Sequence, residues 1–208
     1  MIDSLSRALA LTDVERRHLY DLSGSGRRKT ARAAAKPDYA RPGTRRLIEN
    51  MSGVPSVLLG KRTEVLAWNT AGHRLVAGHL DFDSPEHPAK RPNMTRILFL
   101  DEPTRNLYPF WRSEADRAVA SLRLLSGRFA DDPQLAALLG ELTLKSPEFA
   151  VMWAEHPVEN CMSGIKTMNH PELGRLELDF EVLSMPDESG QRLLTYTAAP
   201  GSPAADAL

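Results

Sequence analysis

The sequence predicts an α+β protein, a five-stranded antiparallel sheet with helices on one face, preceded by a small all-α segment. Three observations carry this. Leu176, Leu178, Phe180 and Val182 alternate with Glu177, Asp179 and Glu181, the period-two pattern of a strand buried on one side. Pro55 to Gly60 and Glu64 to Trp68 read as a hairpin closed at Gly60-Lys61-Arg62-Thr63. Between these two regions the apolar period lengthens to three and four, so helices separate the strand groups.

Taken in order, residues 2–10 read as a short helix with Ile2, Leu5, Ala8 and Leu9 on one side. Thr12-Asp-Val-Glu15 is a capping box for a second helix, which stops at Ser23-Gly-Ser-Gly26. Two helices this short cannot bury a core of their own. Residues 24–41 form a basic linker whose glycine and serine composition predicts flexibility. Arg27, Arg28 and Lys29 are its candidates for contacts to nucleic-acid phosphates. A merely solvated connector is the plainer reading of the same charges.

A helix over Thr44 to Met51 leads into the hairpin, and Asn69 caps the next helix, to about Val76. Residues 79–92 read as an exposed connector marked by three prolines. His79, Asp81, Asp83, Glu86 and His87 within it match no metal-ligand spacing, so no metal is expected. Asn93 opens a helix with Ile97, Leu98 and Leu100 apolar. Asp132-Pro133 and Ser146-Pro147 each start a helix, with the polar residue at the cap and proline at the first helical position. Strands over Asn160 to Met168 and Gln191 to Thr197 flank the alternating one.

The run from Trp111 to Leu125 is the most informative helix. Trp111, Ala115, Ala118, Val119, Leu122 and Leu125 share one face, with Arg112 and Arg123 at its margin. Two readings stay open. Either this is a core helix whose arginine snorkels to water, or its apolar face lines a cavity where an arginine meets an anionic ligand.

Charge and composition narrow the function. Residues 1–46 carry eleven Lys or Arg against five Asp or Glu, a net of +6, and the remainder carries fifteen against twenty-two, a net of -7. A basic first part on an acidic second part points to a polyanion partner for the first part alone. No apolar run reaches the ~18 residues of a membrane span, and the start has no signal-segment pattern, so a cytoplasmic protein is expected. With 1 Cys, Cys161, neither an intrachain disulfide nor a cysteine zinc site is expected. There is no Gly-x-Ser-x-Gly elbow, no His-Glu-x-x-His and no dinucleotide fingerprint, so an enzyme is not expected.

An ordered set of motifs resembles a known family. Asn93-x-x-Arg96-x-Leu98-Phe99-Leu100-Asp101, Tyr108-Pro-x-Trp111 and Leu122-Arg123-x-x-x-Gly127 are similar to the MmyB-like ligand-binding domain of bacterial regulators. So are Ser146-Pro-Glu-Phe149-x-x-x-Trp153-x-x-His156, His170-Pro-x-x-Gly174 and Tyr196-Thr-Ala-x-Pro-Gly-Ser202. The resemblance implies a PAS-like domain over residues 42–208 that encloses an apolar pocket for a fatty-acid-like effector, with no other cofactor. Such domains follow an XRE-type helix-turn-helix. Residues 1–23 resemble the last helices of that DNA-binding domain, with its recognition helix missing. The expected partners are DNA through the complete helix-turn-helix, a small apolar ligand with a carboxylate, and a second copy in a homodimer. Trp68, Leu98, Trp111, Leu122 and Trp153 are the candidates for the pocket wall, Arg123 is the candidate carboxylate partner and Arg112 the second. The alternative is a PAS-like interaction module with a filled core that only dimerises.

Overall fold

A computed structural model describes residues 2–23, 38–155, 162–187 and 189–208. Arg27, Arg28, Lys29, His156 and Cys161, with most of the expected linker, lie outside the described residues. The chain divides into two compact units, one from residues 1–36 with 116–160, the other from 37–115 with 161–208.

The first unit is helical. The capping box forms as the sequence predicts. The Thr12 amide donates to Glu15 Oε2 at 2.8 Å and the Glu15 amide donates to Thr12 Oγ1 at 3.3 Å. It opens α2 (Asp13–Leu22), which follows α1 (Ile2–Ala8). α1 ends short of the expected residue 10 because Ala10 turns the chain through the left-handed region, at φ 51°. Helix α7 (Trp111–Arg128) enters this unit at Asp116. Val119, Leu122 and Leu125 are buried on it and Ala118 is half-buried. Gly127 stands close to α2: a Cβ there would fall 2.4 Å from Cε1 of His18, so that imidazole would have to move.

Asp132 opens α8 (Pro133–Lys145) by accepting from the amides of Gln134 and Leu135. Ser146 opens α9 (Pro147–Ala154) by accepting from the Phe149 amide. In both helices proline stands beside the cap, where its missing N–H costs nothing. Leu135, Leu138, Leu142, Phe149 and Met152 fill the interior of this helix pair.

The second unit holds the sheet. Its five strands run antiparallel in the order β2-β1-β5-β4-β3, from β1 (Ser56–Leu59), β2 (Val65–Trp68), β3 (Ser163–His170), β4 (Gly174–Ser184) and β5 (Arg192–Thr197). The alternation read from sequence sets the faces of β4. Leu176, Leu178 and Phe180 are buried, while Glu177, Asp179 and Glu181 face water. Register carries the inward phase to the neighbouring strands. Phe180 pairs with Tyr196 on β5 and with Gly164 on β3, and Leu178 pairs with Lys166. At the other end, Ile48 of α3 (Pro42–Asn50) joins Leu58, Leu66, Ala67 and Leu193 in a buried cluster.

Three features of the structure were not read from the sequence. Helix α5 (Met94–Leu100) buries Leu98 and Phe99 and leaves the apolar Leu100 at 37% exposure. Helices α6 (Glu102–Leu107) and α10 (Pro203–Ala207) were not anticipated, although Asp101 and Ser202 cap them with proline close behind. The 79–92 connector is pinned rather than loose. Ser84 and Pro85 are buried in a 3-10 turn, and the Phe82 carbonyl accepts from the Trp68 indole at 2.8 Å. The Ser84, Glu86 and His87 amides of this turn are paired with the Asp81, Asp83 and Ser84 carbonyls, which lets it bury.

Asp101 makes α6 testable. Burial raises its carboxyl pKa, but the Thr104 hydroxyl and amide, with His79 beside them, outweigh that and hold it below the ordinary carboxylate range. A depressed carboxyl stabilises the fold above its unfolded value and loses that contribution as pH falls through the folded value. Asp101→Ala is therefore expected to cost about 1 kcal/mol at neutral pH, with the deficit shrinking in acid. Urea unfolding of both proteins at neutral and acidic pH checks this, and a pH-independent deficit would rule it out.

Candidate functional site

The residues singled out from sequence fall into three groupings. Trp68 is buried, with its ring 4.7 Å from His73, which in turn meets Phe82 edge-on at 5.2 Å. Leu98 and Trp111 come together, because the Trp111 indole donates to the Leu98 carbonyl at 2.9 Å. Phe99 meets the Trp111 ring edge-on and Arg105 lies 3.8 Å above it. These indoles brace one element against the next.

Arg123 and Trp153 form the third grouping, next to the fully buried Leu122. The Arg123 guanidinium lies 3.9 Å over the Trp153 ring, and its Nη2 donates to the Trp153 carbonyl. The Trp153 ring is stacked on Phe149 at 5.7 Å. Arg123 is only 9% exposed, and burial lowers its pKa. Among the described residues no carboxylate pairs with it, and its Nε–H has no acceptor. It is thus a desolvated cation held by an aromatic face and one carbonyl. Arg112, by contrast, is exposed.

The sheet unit contains a polar cluster that the sequence did not disclose. Lys166, on the inward face of β3, pairs with Glu114 of α7 at 2.7 Å, and both side chains are at most 12% exposed. The ammonium lies 4.8 Å from the centre of the Phe180 ring and 5.7 Å from that of Tyr108. Tyr196 is buried in the same region, and its hydroxyl has no hydrogen-bond partner among the described residues. Burial first, and Glu114 second, push the Tyr196 hydroxyl pKa up. Tyr108 shifts the same way, with burial again the largest cause. Both phenols therefore stay protonated. One sequence signal existed. Counting back by two from Met168 puts Lys166 on the buried side of its strand.

A shallow groove of about 400 Å³ runs past the end of α4 (Thr70–Ala77), α6 and the β3–β4 turn. Its rim carries the Arg74–Glu172 and His79–Asp101 pairs, and none of the sequence-predicted residues lines it. Among the described residues no cluster of His, Cys, Asp and Glu is arranged to hold a metal. Nor is any helix among them long and apolar enough to cross a membrane.

A five-stranded antiparallel sheet with covering helices, and charged groups buried against it, defines a PAS-like α+β domain. Residues 40–208 match the model of the MmyB-like transcription regulator ligand binding domain, and the chain belongs to that family. It is therefore an effector-binding domain of a transcription regulator. The chain matches no curated protein.

Proposed function

We propose that the effector is a fatty-acid-like molecule, an alkyl chain ending in a carboxylate, and that Arg123 receives the carboxylate. The observation that carries this is the state of Arg123. A buried cation without an anionic partner is electrostatically costly, and a ligand carboxylate supplies the missing charge through strong, charge-assisted hydrogen bonds. Leu122 and Trp153 give it apolar neighbours, and burial of each methylene adds ~0.8 kcal/mol. Residues 1–23 are read as the last helices of a helix-turn-helix, and the exposed Leu5, Leu9 and Leu22 support packing against more of such a domain. Arg27, Arg28 and Lys29 in the 24–41 linker then contact phosphates, and the regulator works in the cytoplasm as a homodimer. Leu144 and Val151, exposed on α8 and α9, support an interface carried on helices.

The test compares tetradecanoic acid with tetradecanol. The acid is expected to raise the melting temperature. Arg123→Met is expected to weaken acid binding by about 10–100-fold, the worth of a hydrogen bond to a charged group, and alcohol binding by less than about threefold. The variant also loses the contact with Trp153, so its own melting is measured first. Equal loss for acid and alcohol in a folded variant would make Arg123 purely a brace for α9.

A further inference from the structure

We propose that the Lys166–Glu114–Tyr196 cluster is a second ligand site, which takes an uncharged oxygen acceptor, a ketone, ester or hydroxyl oxygen, on an apolar molecule. This goes beyond the acid reading and does not depend on any acid binding at Arg123. Four observations lead here.

First, Tyr196 is 1% exposed and its hydroxyl is unpartnered among the described residues. A phenylalanine would fill the same space without stranding a donor. Second, the hydroxyl belongs to the inward face of the sheet. Tyr196 pairs with Phe180, which shares that face with Leu178, the partner of Lys166. Third, the surroundings are apolar. Met168, Leu176, Leu178 and Phe180 are all at most 3% exposed. An oxygen arriving there must be carried by an apolar body.

The fourth observation selects the charge. Lys166 already has an anion, Glu114, at 2.7 Å. A ligand carboxylate would enter a buried place beside a glutamate that repels it. A neutral carbonyl oxygen leaves the pair intact and accepts the Tyr196 proton. Because Tyr196 is held protonated, it is a donor at any physiological pH. The cluster thus prefers an oxygenated hydrocarbon to a bare one, and a neutral head to an anionic one.

The experiment uses the full 208-residue chain and four probes, namely tridecane, methyl undecyl ketone, dihexyl ketone and tetradecanoic acid. The two ketones place the same oxygen at the end and at the middle of a chain of equal length. At least one ketone is expected to bind about tenfold more tightly than tridecane. Tyr196→Phe is expected to abolish that preference while leaving tridecane binding in place. It is also expected to melt at or above the parent temperature, because it deletes an unsatisfied donor. The proposal is overturned if neither ketone surpasses tridecane, if the preference survives Tyr196→Phe, or if that variant melts well below the parent. Ketone binding without acid binding would sink the acid reading and keep this one. Acid binding without a ketone preference would do the reverse, and no binding by any probe would overturn both.

Discussion

Lys166→Met alone is expected to lower the stability of the fold by about 3–5 kcal/mol, and so is Glu114→Leu, while the double variant should come within about 1–2 kcal/mol of the parent. The reason lies in where the pair sits. At 12% and 9% side-chain exposure, neither charge keeps enough water to stand alone. Glu114→Leu takes the anion from a buried ammonium, and Lys166→Met takes a close cation from a buried carboxylate, so the desolvation cost already incurred loses its offset. Removing both leaves an apolar patch on a sheet face that is already apolar. Methionine keeps the length of the lysine stem against the Phe180 ring, so cavity formation contributes little to the single change. Urea unfolding followed by tryptophan fluorescence gives all four corners of the cycle. Strictly additive losses would mean that the two charges do not depend on each other. Losses below about 1 kcal/mol for both single variants would mean that the pair is screened like one on the surface.

The fold was legible wherever side-chain period and local capping act on neighbouring residues. The inward alternation of β4, the capping box at Thr12, and the Asp132-Pro133 and Ser146-Pro147 starts all depend on residues at most a few positions apart. Local rules fail where a longer contact decides. Nothing near Leu100 tells it to stay at the surface while Phe99 turns inward to meet Trp111. Helix α6 could have been found from Asp101 and Pro103 by the logic used for α8, but its brevity hid it.

The candidate site was legible only in part. The Trp111 helix and the placement of Arg123 beside its apolar face follow from periodicity. That Arg123 would lie on Trp153, thirty positions away, does not. The Lys166–Glu114 pair needs more still. The phase of β3 comes from its pairing with β4, and Glu114, one residue before Ala115 on α7, reads in sequence as a solvated charge. Two ordinary surface residue types become a buried pair only when the sheet and the helix meet.

Asn69→Ala is expected to cost about 3–4 kcal/mol, because one side chain satisfies the ends of several elements at once. Its Oδ1 accepts from the Gly72 amide at 2.7 Å, which caps α4, and from the Ser56 amide at 3.1 Å, at the start of β1. Its Nδ2 donates to the carbonyls of Met51 and Val54, both at 2.8 Å, where the chain leaves α3. The residue is 5% exposed, so water cannot replace these partners. Helix α4 also rests directly on β1. A Cβ on Gly72 would fall 2.3 Å from the Ser56 carbonyl oxygen, leaving no room for the elements to shift and repair the loss. At about 2–4 °C per kcal/mol for a chain of this size, the melting temperature should fall by about 10 °C. Asn69→Asp separates the two halves of the argument. It keeps the acceptor for Gly72 and Ser56 but aims a carboxylate oxygen at the Met51 and Val54 carbonyls. If capping alone mattered, the aspartate variant would melt with the parent. If the junction of α3, β1 and α4 depends on the amide as a whole, it melts at or below the alanine variant, and that is the result expected.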